Sequence, residues 1–218
     1  LTRSRGLGDV YKRQDLTSSG RKMVLTTFAA ALLSELDIVI LGVFYSGPIL
    51  GVLAWSKRIL EGLYQLVGAS LDIVFPEISK LKDKNEITSI RSKLRIVILI
   101  SLLIPTAYIL LEDIANSVFI NVLGAEFENL ASIFSVVIFS LPFMLWSRIN
   151  IIFARAMHYE VNLFKVISAA AFSSFLLYYI NDTYNYFSIE YGILGSQILF
   201  SLFTSFLINN QIKKEKDT

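Results

Sequence analysis

KLKDKNEITSIRSKLR, residues 80–95, holds six of the chain's basic side chains, Lys80, Lys82, Lys84, Arg91, Lys93 and Arg95, between two long apolar runs. Before it, Ile49 to Phe75 is mostly apolar and closes at Pro76; after it, Ile96 to Leu111 is mostly apolar and uncharged. A helix needs roughly 20 mostly apolar residues to cross the hydrocarbon core of a bilayer. Four more stretches read the same way: Val24 to Phe44, Leu130 to Phe153, Leu163 to Ile180 and Ile193 to Ile212. Ser46-Gly47-Pro48 separates the first two, because Pro has no N–H to give and Gly favours turns.

The charges between these six runs alternate. Arg21 and Lys22 precede the first, residues 80–95 follow the second, Arg155, His158 and Lys165 follow the fourth, and Lys213, Lys214 and Lys216 follow the sixth. The other three junctions, Tyr45 to Pro48, Glu112 to Asn129 and Asn181 to Gly192, have no Lys or Arg. Their charges are the acids Glu112, Asp113, Glu126, Glu128, Asp182 and Glu190. The positive-inside rule then places both ends and every basic junction in the cytoplasm, which requires an even number of spans. The fold expected is an all-α membrane protein, a bundle of six transmembrane helices over residues 23–214, with a polar lead at 1–22 and a cytoplasmic tail at 215–218. EDIANSVFINVLGAEFEN, residues 112–129, is apolar every three or four residues and acidic at both ends; it reads as a short helix in the interface followed by a turn at Gly124.

Composition agrees. Of 218 residues, 54% are hydrophobic and 17% charged, with mean hydropathy +0.59; a soluble domain is about 45–50% apolar and about 25% charged. One buried helix of a soluble protein could look like any single run, but 218 residues cannot surround six of them with soluble surface. A β-barrel would need segments of about 10 residues alternating in polarity, and none is seen. The chain has no Cys and one His, His158, so disulfides, thiolate metal sites and multi-His sites are excluded. A net charge of +2 without a basic, aromatic-studded patch gives no reason to expect a nucleic-acid partner. No catalytic constellation and no cofactor motif appears. RGLGDVYKRQ, residues 5–14, is polar and resembles translated adapter sequence; with Leu1 at the start, the chain reads as one that begins mid-protein.

Charges inside the spans are the candidate site. Glu35 and Asp37 lie mid-way in the first run, where an ionised side chain costs roughly 2.5–3.5 kcal/mol at the bilayer centre on insertion scales. In the second run Lys57, Glu61, Gln65, Gly68 and Asp72 recur every three or four residues, one stripe on a helix, with Leu60, Leu63, Val67 and Leu71 opposite as a lipid-like face. Arg58 adjoins Lys57; Arg148 and Asn150 lie in the fourth run with Trp146. Two readings stand side by side. Lys57, Arg58 and Arg148 make a cationic patch in a wet cavity, suited to phosphate, or they are interhelical ion pairs such as Lys57–Glu61 and side chains snorkelling to the interface. Glu35 and Asp37 are ion-coupling candidates on the first reading and interhelical partners on the second.

Four stretches carry a resemblance. LDIVILGVFYSGPILGVLAWSKRI, Leu36 to Ile59, resembles a D-x-x-I-L-G … G-x-Y-x-x-A-x-R-I passage, with Asp37, Gly42, Gly51, Ala54 and Arg58 matching and Leu53 in the place of the aromatic. VFPEISKL (Val74 to Leu81), GAEFENLASIF (Gly124 to Phe134) and EYGILGSQ (Glu190 to Gln197, with Ser196 replacing Ala) follow in order. Together they are similar to the polysaccharide-biosynthesis and O-antigen (Wzx-like) branch of the multidrug/oligosaccharidyl-lipid/polysaccharide flippases. The resemblance implies one lobe of a twelve-helix, two-lobe transporter, here the second lobe, whose partners are the lipid bilayer, a lipid-linked oligosaccharide and the missing N-terminal half. It implies a bacterial or archaeal cytoplasmic membrane, movement of undecaprenyl-pyrophosphate-linked sugar, and no enzymatic reaction. Arg58 falls in the span where related peptidoglycan-precursor flippases carry a cavity arginine; Tyr64, Gln65 and Asn150 are candidate sugar contacts. A drug/cation antiporter of the same superfamily, with Glu35, Asp37 and Glu61 as ion sites, is the alternative, and so is a half with no activity alone.

Overall fold

The computed structural model describes residues 20, 24, 38–39, 41–43, 47–73, 84–156, 160–184 and 189–214. Glu35 and Asp37 lie outside them, as do the polar lead to residue 19 and Pro76. Every described element is helical: α1 Pro48–Asp72, α2 Lys84–Ser101, α3 Leu103–Leu110, α4 Glu112–Leu123, a 3-10 turn Ala125–Phe127, α5 Leu130–Val137, α6 Ser140–Ala156, α7 Glu160–Tyr184 and α8 Ile189–Lys214. Among the described residues, four helical stretches are long and apolar enough to cross a membrane: Ser89–Leu110, Leu130–Arg155, Asn162–Asn181 and Ile189–Asn210. The α1 helix has 25 residues, ample length at 1.5 Å per residue, but Lys57, Arg58 and Glu61 within it lower its apolarity. The chain is an all-α membrane protein, and the expected six-helix count is compatible with these elements.

Local chemistry sets the breaks. Gly47 takes φ 79° and Pro48 opens α1, the position where a missing N–H is least costly. Gly124, at φ 108°, ends α4, so the short helix expected between the third and fourth spans forms and stops where expected. Its first turn carries Glu112 and Asp113, which favour the positive end of the helix dipole. Two prolines lie inside spans and break them. Pro105 has no N–H for the Ser101 carbonyl; α2 stops at Ser101 and α3 starts at Leu103, with a long Leu102 N–H bond of 3.3 Å to the Ile98 carbonyl. Pro142 divides α5 from α6, and Phe139 N–H turns back to the Val136 carbonyl at 3.2 Å.

Two expectations are corrected. Helix runs from Lys84, and the stretch apolar enough to cross a membrane begins at Ser89 rather than Ile96, so Arg91, Lys93 and Arg95 lie within it. Ile90 and Leu94 recur at helical spacing and pack against the core with Val97 and Ile98, which is why the helix continues down through the charges. The face of α1 read as lipid-like is the inward one. Leu60 and Leu71 are buried in the core with Leu53, and Leu63 and Val67 pack against it. The exposed face carries Trp55, Arg58, Gly62, Gln65, Leu66 and Ser70. Large branched side chains fill most of the bundle interior, though Ser56 and Lys57 of the same helix are buried too.

The fourth span is the hub. Leu141, Leu145 and Ile149, four residues apart, and Ile152 and Phe153, three and four beyond Ile149, are all buried, and α1, α2 and α8 all pack on α6. The α7–α8 pair closes tightly at Gly192, where an added Cβ would stand 2.7 Å from the Tyr178 ring.

Candidate functional site

The polar residues of the second span do not form one stripe in space. Lys57 is buried, 4% exposed, and its Nζ lies 4.0 Å from Glu61 Oε1, one turn along. The two pair within one helix, not between helices. Arg58, one residue on, is exposed, because adjacent helical residues point about 100° apart.

Gln65 belongs to a second centre. Arg148, from α6, donates through Nη1 to Gln65 Oε1 at 3.4 Å, and its guanidinium lies 5.0 Å from the centre of the Tyr64 ring. Gly68 makes room for it: a Cβ there would fall 2.3 Å from Arg148 Nη1 and 2.8 Å from Cζ. Gln65 lies eight residues from Lys57, roughly 12 Å along the helix. The structure thus brings Arg148 to Gln65 and separates both from the Lys57–Glu61 pair.

Asn150 is in neither centre. Two residues from Arg148 on α6, it faces the other way and is fully buried. Its Oδ1 accepts from Arg91 Nη2 at 2.8 Å, and its Nδ2 donates to Ser205 Oγ at 3.1 Å and Thr204 Oγ1 at 3.4 Å. Arg91 Nη1 reaches Asn209 Oδ1 at 2.8 Å. Trp146, one turn before Asn150, donates Nε1–H to Ser205 Oγ at 2.6 Å, and Arg91 stands 5.2 Å from its ring centre. These bonds tie α2, α6 and α8 together. Asn150, a candidate sugar contact by sequence, is here a buried amide held by hydrogen bonds on both its oxygen and its nitrogen.

Arg91, Trp146 and Asn209 are the participants the sequence reading left out of the site. Arg91, one of the basic residues that mark the junction as cytoplasmic, is 5% exposed. The signal for it was present in the spacing of Ile90 and Leu94 around it, and in Trp146 and Asn150 one turn apart on a single face.

A groove of about 380 Å³ lies between α1 and the broken third span, lined by Val67, Val97, Ile100, Ser101, Leu103, Ile104 and Ala107. It is almost wholly apolar; its one hydroxyl, Ser101, is turned to the Ile98 carbonyl at 2.7 Å. Val67 on its wall precedes Gly68, where Arg148 sits. Among the described residues, no cluster of His, Asp or Glu could hold a metal ion.

No curated protein and no solved structure matches the chain. A family model does, over residues 3–132, a stretch that begins inside the polar lead and runs through the second and third spans to the start of the fourth. By that match the chain belongs to the family of polysaccharide biosynthesis proteins.

Proposed function

We propose that this chain is one helical bundle of a transporter that flips a lipid-linked oligosaccharide, carried on undecaprenyl pyrophosphate, across a bacterial or archaeal cytoplasmic membrane. The bundle works against a second one, since alternating access is largely the rocking of one repeat against another around a shared site. Both ends of the chain lie in the cytoplasm on this reading, as the basic junctions require.

One observation carries the proposal: α1 bears a guanidinium slot and, one residue away and so about 100° round the helix, the wall of a dry groove. Arg148 lies beside Tyr64, Gln65 and Gly68, and the apolar groove begins at Val67. An amphipathic lipid has that polarity, with a phosphate for the cation and hydrocarbon for the groove. Arg suits phosphate through its planar, two-pronged donors. Arg58, exposed about two turns before Gln65, supplies a second cation on the same helix for a phosphate in transit. The membrane-spanning helices and the polysaccharide-biosynthesis family support the same reading.

A drug/cation antiporter would need acids ready to take up a proton or sodium ion. Of its candidates Glu35, Asp37 and Glu61, the one among the described residues, Glu61, is engaged with Lys57, which supports the flippase reading at that position.

The test is complementation. The gene carrying this chain is expressed in bacteria whose own polysaccharide flippase has been deleted, and surface glycan and lipid-linked precursor are measured. Surface glycan should return with the unaltered gene. Arg148→Ala and Arg58→Ala should each lower it, with precursor accumulating on the cytoplasmic side and protein levels unchanged. Full export by both variants would remove these cations from the mechanism.

A further inference from the structure

We infer that Arg91, Arg95 and Trp146 form a binding site for a phosphate-bearing anion, at the end of the third span where the basic residues gather. The site is separate from the Arg148 slot and does not rest on the transport reading.

Three observations converge on it. First, both guanidiniums share one ring: Arg91 Cζ is 5.2 Å and Arg95 Cζ 5.7 Å from the Trp146 centroid. They are one helical turn apart, an arrangement in which like charges repel. The ring's negative face attracts each cation but leaves the summed charge in place. Second, Arg91 is 5% exposed, and its hydrogen-bond partners are two neutral amide oxygens, Asn209 Oδ1 and Asn150 Oδ1. Its Nε has no partner. Third, among the described residues no carboxylate pairs with Arg91 or Arg95. Buried charges in proteins are normally paired, so the neutralising group is one the described chain does not contribute.

Geometry narrows its chemistry. Trp146 is fixed by its Nε1 bond to Ser205, so the ring is a rigid platform. Arg95 is exposed and reaches an incoming anion; Arg91 adds its charge from behind the surface. The pair lies near the start of the apolar stretch Ser89–Leu110, at the depth of lipid headgroups. Phosphate is the anion of that zone, and basic pockets between spans at that side take phospholipid heads. The same chemistry comes from two sources, a membrane lipid or a soluble phosphate, and the experiment separates them.

Trp55 and Trp146 are the chain's two tryptophans. Trp55 is exposed on α1, so the full chain with Trp55→Phe reports on Trp146 alone. That protein is placed in phosphatidylcholine vesicles; one arm raises the fraction of phosphatidylglycerol, the other adds inorganic pyrophosphate. Trp146 emission should change saturably in at least one arm. A response to phosphatidylglycerol alone assigns a lipid headgroup; a response to pyrophosphate in the neutral vesicles assigns a soluble phosphate. Arg95→Gln should raise the half-saturating concentration about tenfold or more, the loss of one charge-assisted contact. Lys93→Gln removes an equal charge from an exposed position on another face of α2 and should leave the response unchanged. Silence in both arms overturns the inference, and so does an equal response from the Arg95 and Lys93 variants.

Discussion

Gly68→Ala separates folding from function at the Arg148 slot. The added Cβ would stand 2.3 Å from Arg148 Nη1, 2.8 Å from Cζ and 3.1 Å from Nε, all atoms at the far end of a flexible side chain. The backbone can stay where it is while the guanidinium swings away from Gln65 and Tyr64. The energetic terms are small and opposed. A partly exposed cation–π contact is worth roughly 0.5–1 kcal/mol. The Gln65 bond, at 3.4 Å, is beyond the usual range and contributes less than the about 0.5–1.5 kcal/mol of a normal one. Ala in place of Gly returns about 0.8–1.0 kcal/mol of helix propensity. The sum lies within about 1 kcal/mol of zero, a shift of roughly 2–4 °C for a protein of this size. Thermal unfolding in detergent should therefore be almost unchanged, while surface glycan in the complemented strain falls to about the level of Arg148→Ala. Wild-type export would mean that the position of Arg148 does not matter. A large loss of stability would mean that Gly68 serves backbone packing instead.

The remaining predictions concern stability, read by unfolding in detergent or bicelles. Arg91→Ala leaves Asn150 and Asn209 without their charged donor and should cost about 3 kcal/mol or more, since hydrogen bonds to charged groups are worth about 1.5–3 kcal/mol each; an unchanged midpoint would show that the α2–α6–α8 tie is not structural. Gly192→Ala forces a methyl to 2.7 Å from the buried Tyr178 ring and should cost about 1–3 kcal/mol by overpacking. Gly195→Ala meets only Leu177, at 3.5 Å, and should be tolerated; equal losses at the two glycines would contradict the close approach. Tyr108→Phe gives up the 3.2 Å bond to the Ala131 carbonyl but keeps the edge contact with Phe134, for a loss of about 0.5–1.5 kcal/mol.

What could be read from the sequence followed from strong local rules. Pro48 after Gly47, and Gly124 after an apolar run, are chain breaks that tertiary packing did not move. The apolar runs themselves are set by the demand that lipid makes on backbone groups. What failed needed knowledge of neighbours. A stripe of Lys57, Glu61, Gln65 and Gly68 says that one side of a helix differs from the other, not which side faces inward; the leucines took the interior. Arg91 and Asn150 lie 59 residues apart, in segments read respectively as a wet junction and a cavity wall. Neither side chain announces that the other neutralises its polarity. The slot at Arg148 was half visible: its members were named, but their grouping with Gly68 depends on where α6 crosses α1.

The third span is pinned by polar contacts at its two ends and by apolar packing alone between them. Arg91 fastens one end to α6 and α8, and Tyr108 fastens the other through Ala131 and Phe134. Along the apolar stretch between Ser89 and Leu110 only 11% is buried, against 56% for the fourth span. It behaves like a strut across a window. Its outward middle offers hydrocarbon to whatever lies beside it, while the two anchors hold the helix in place.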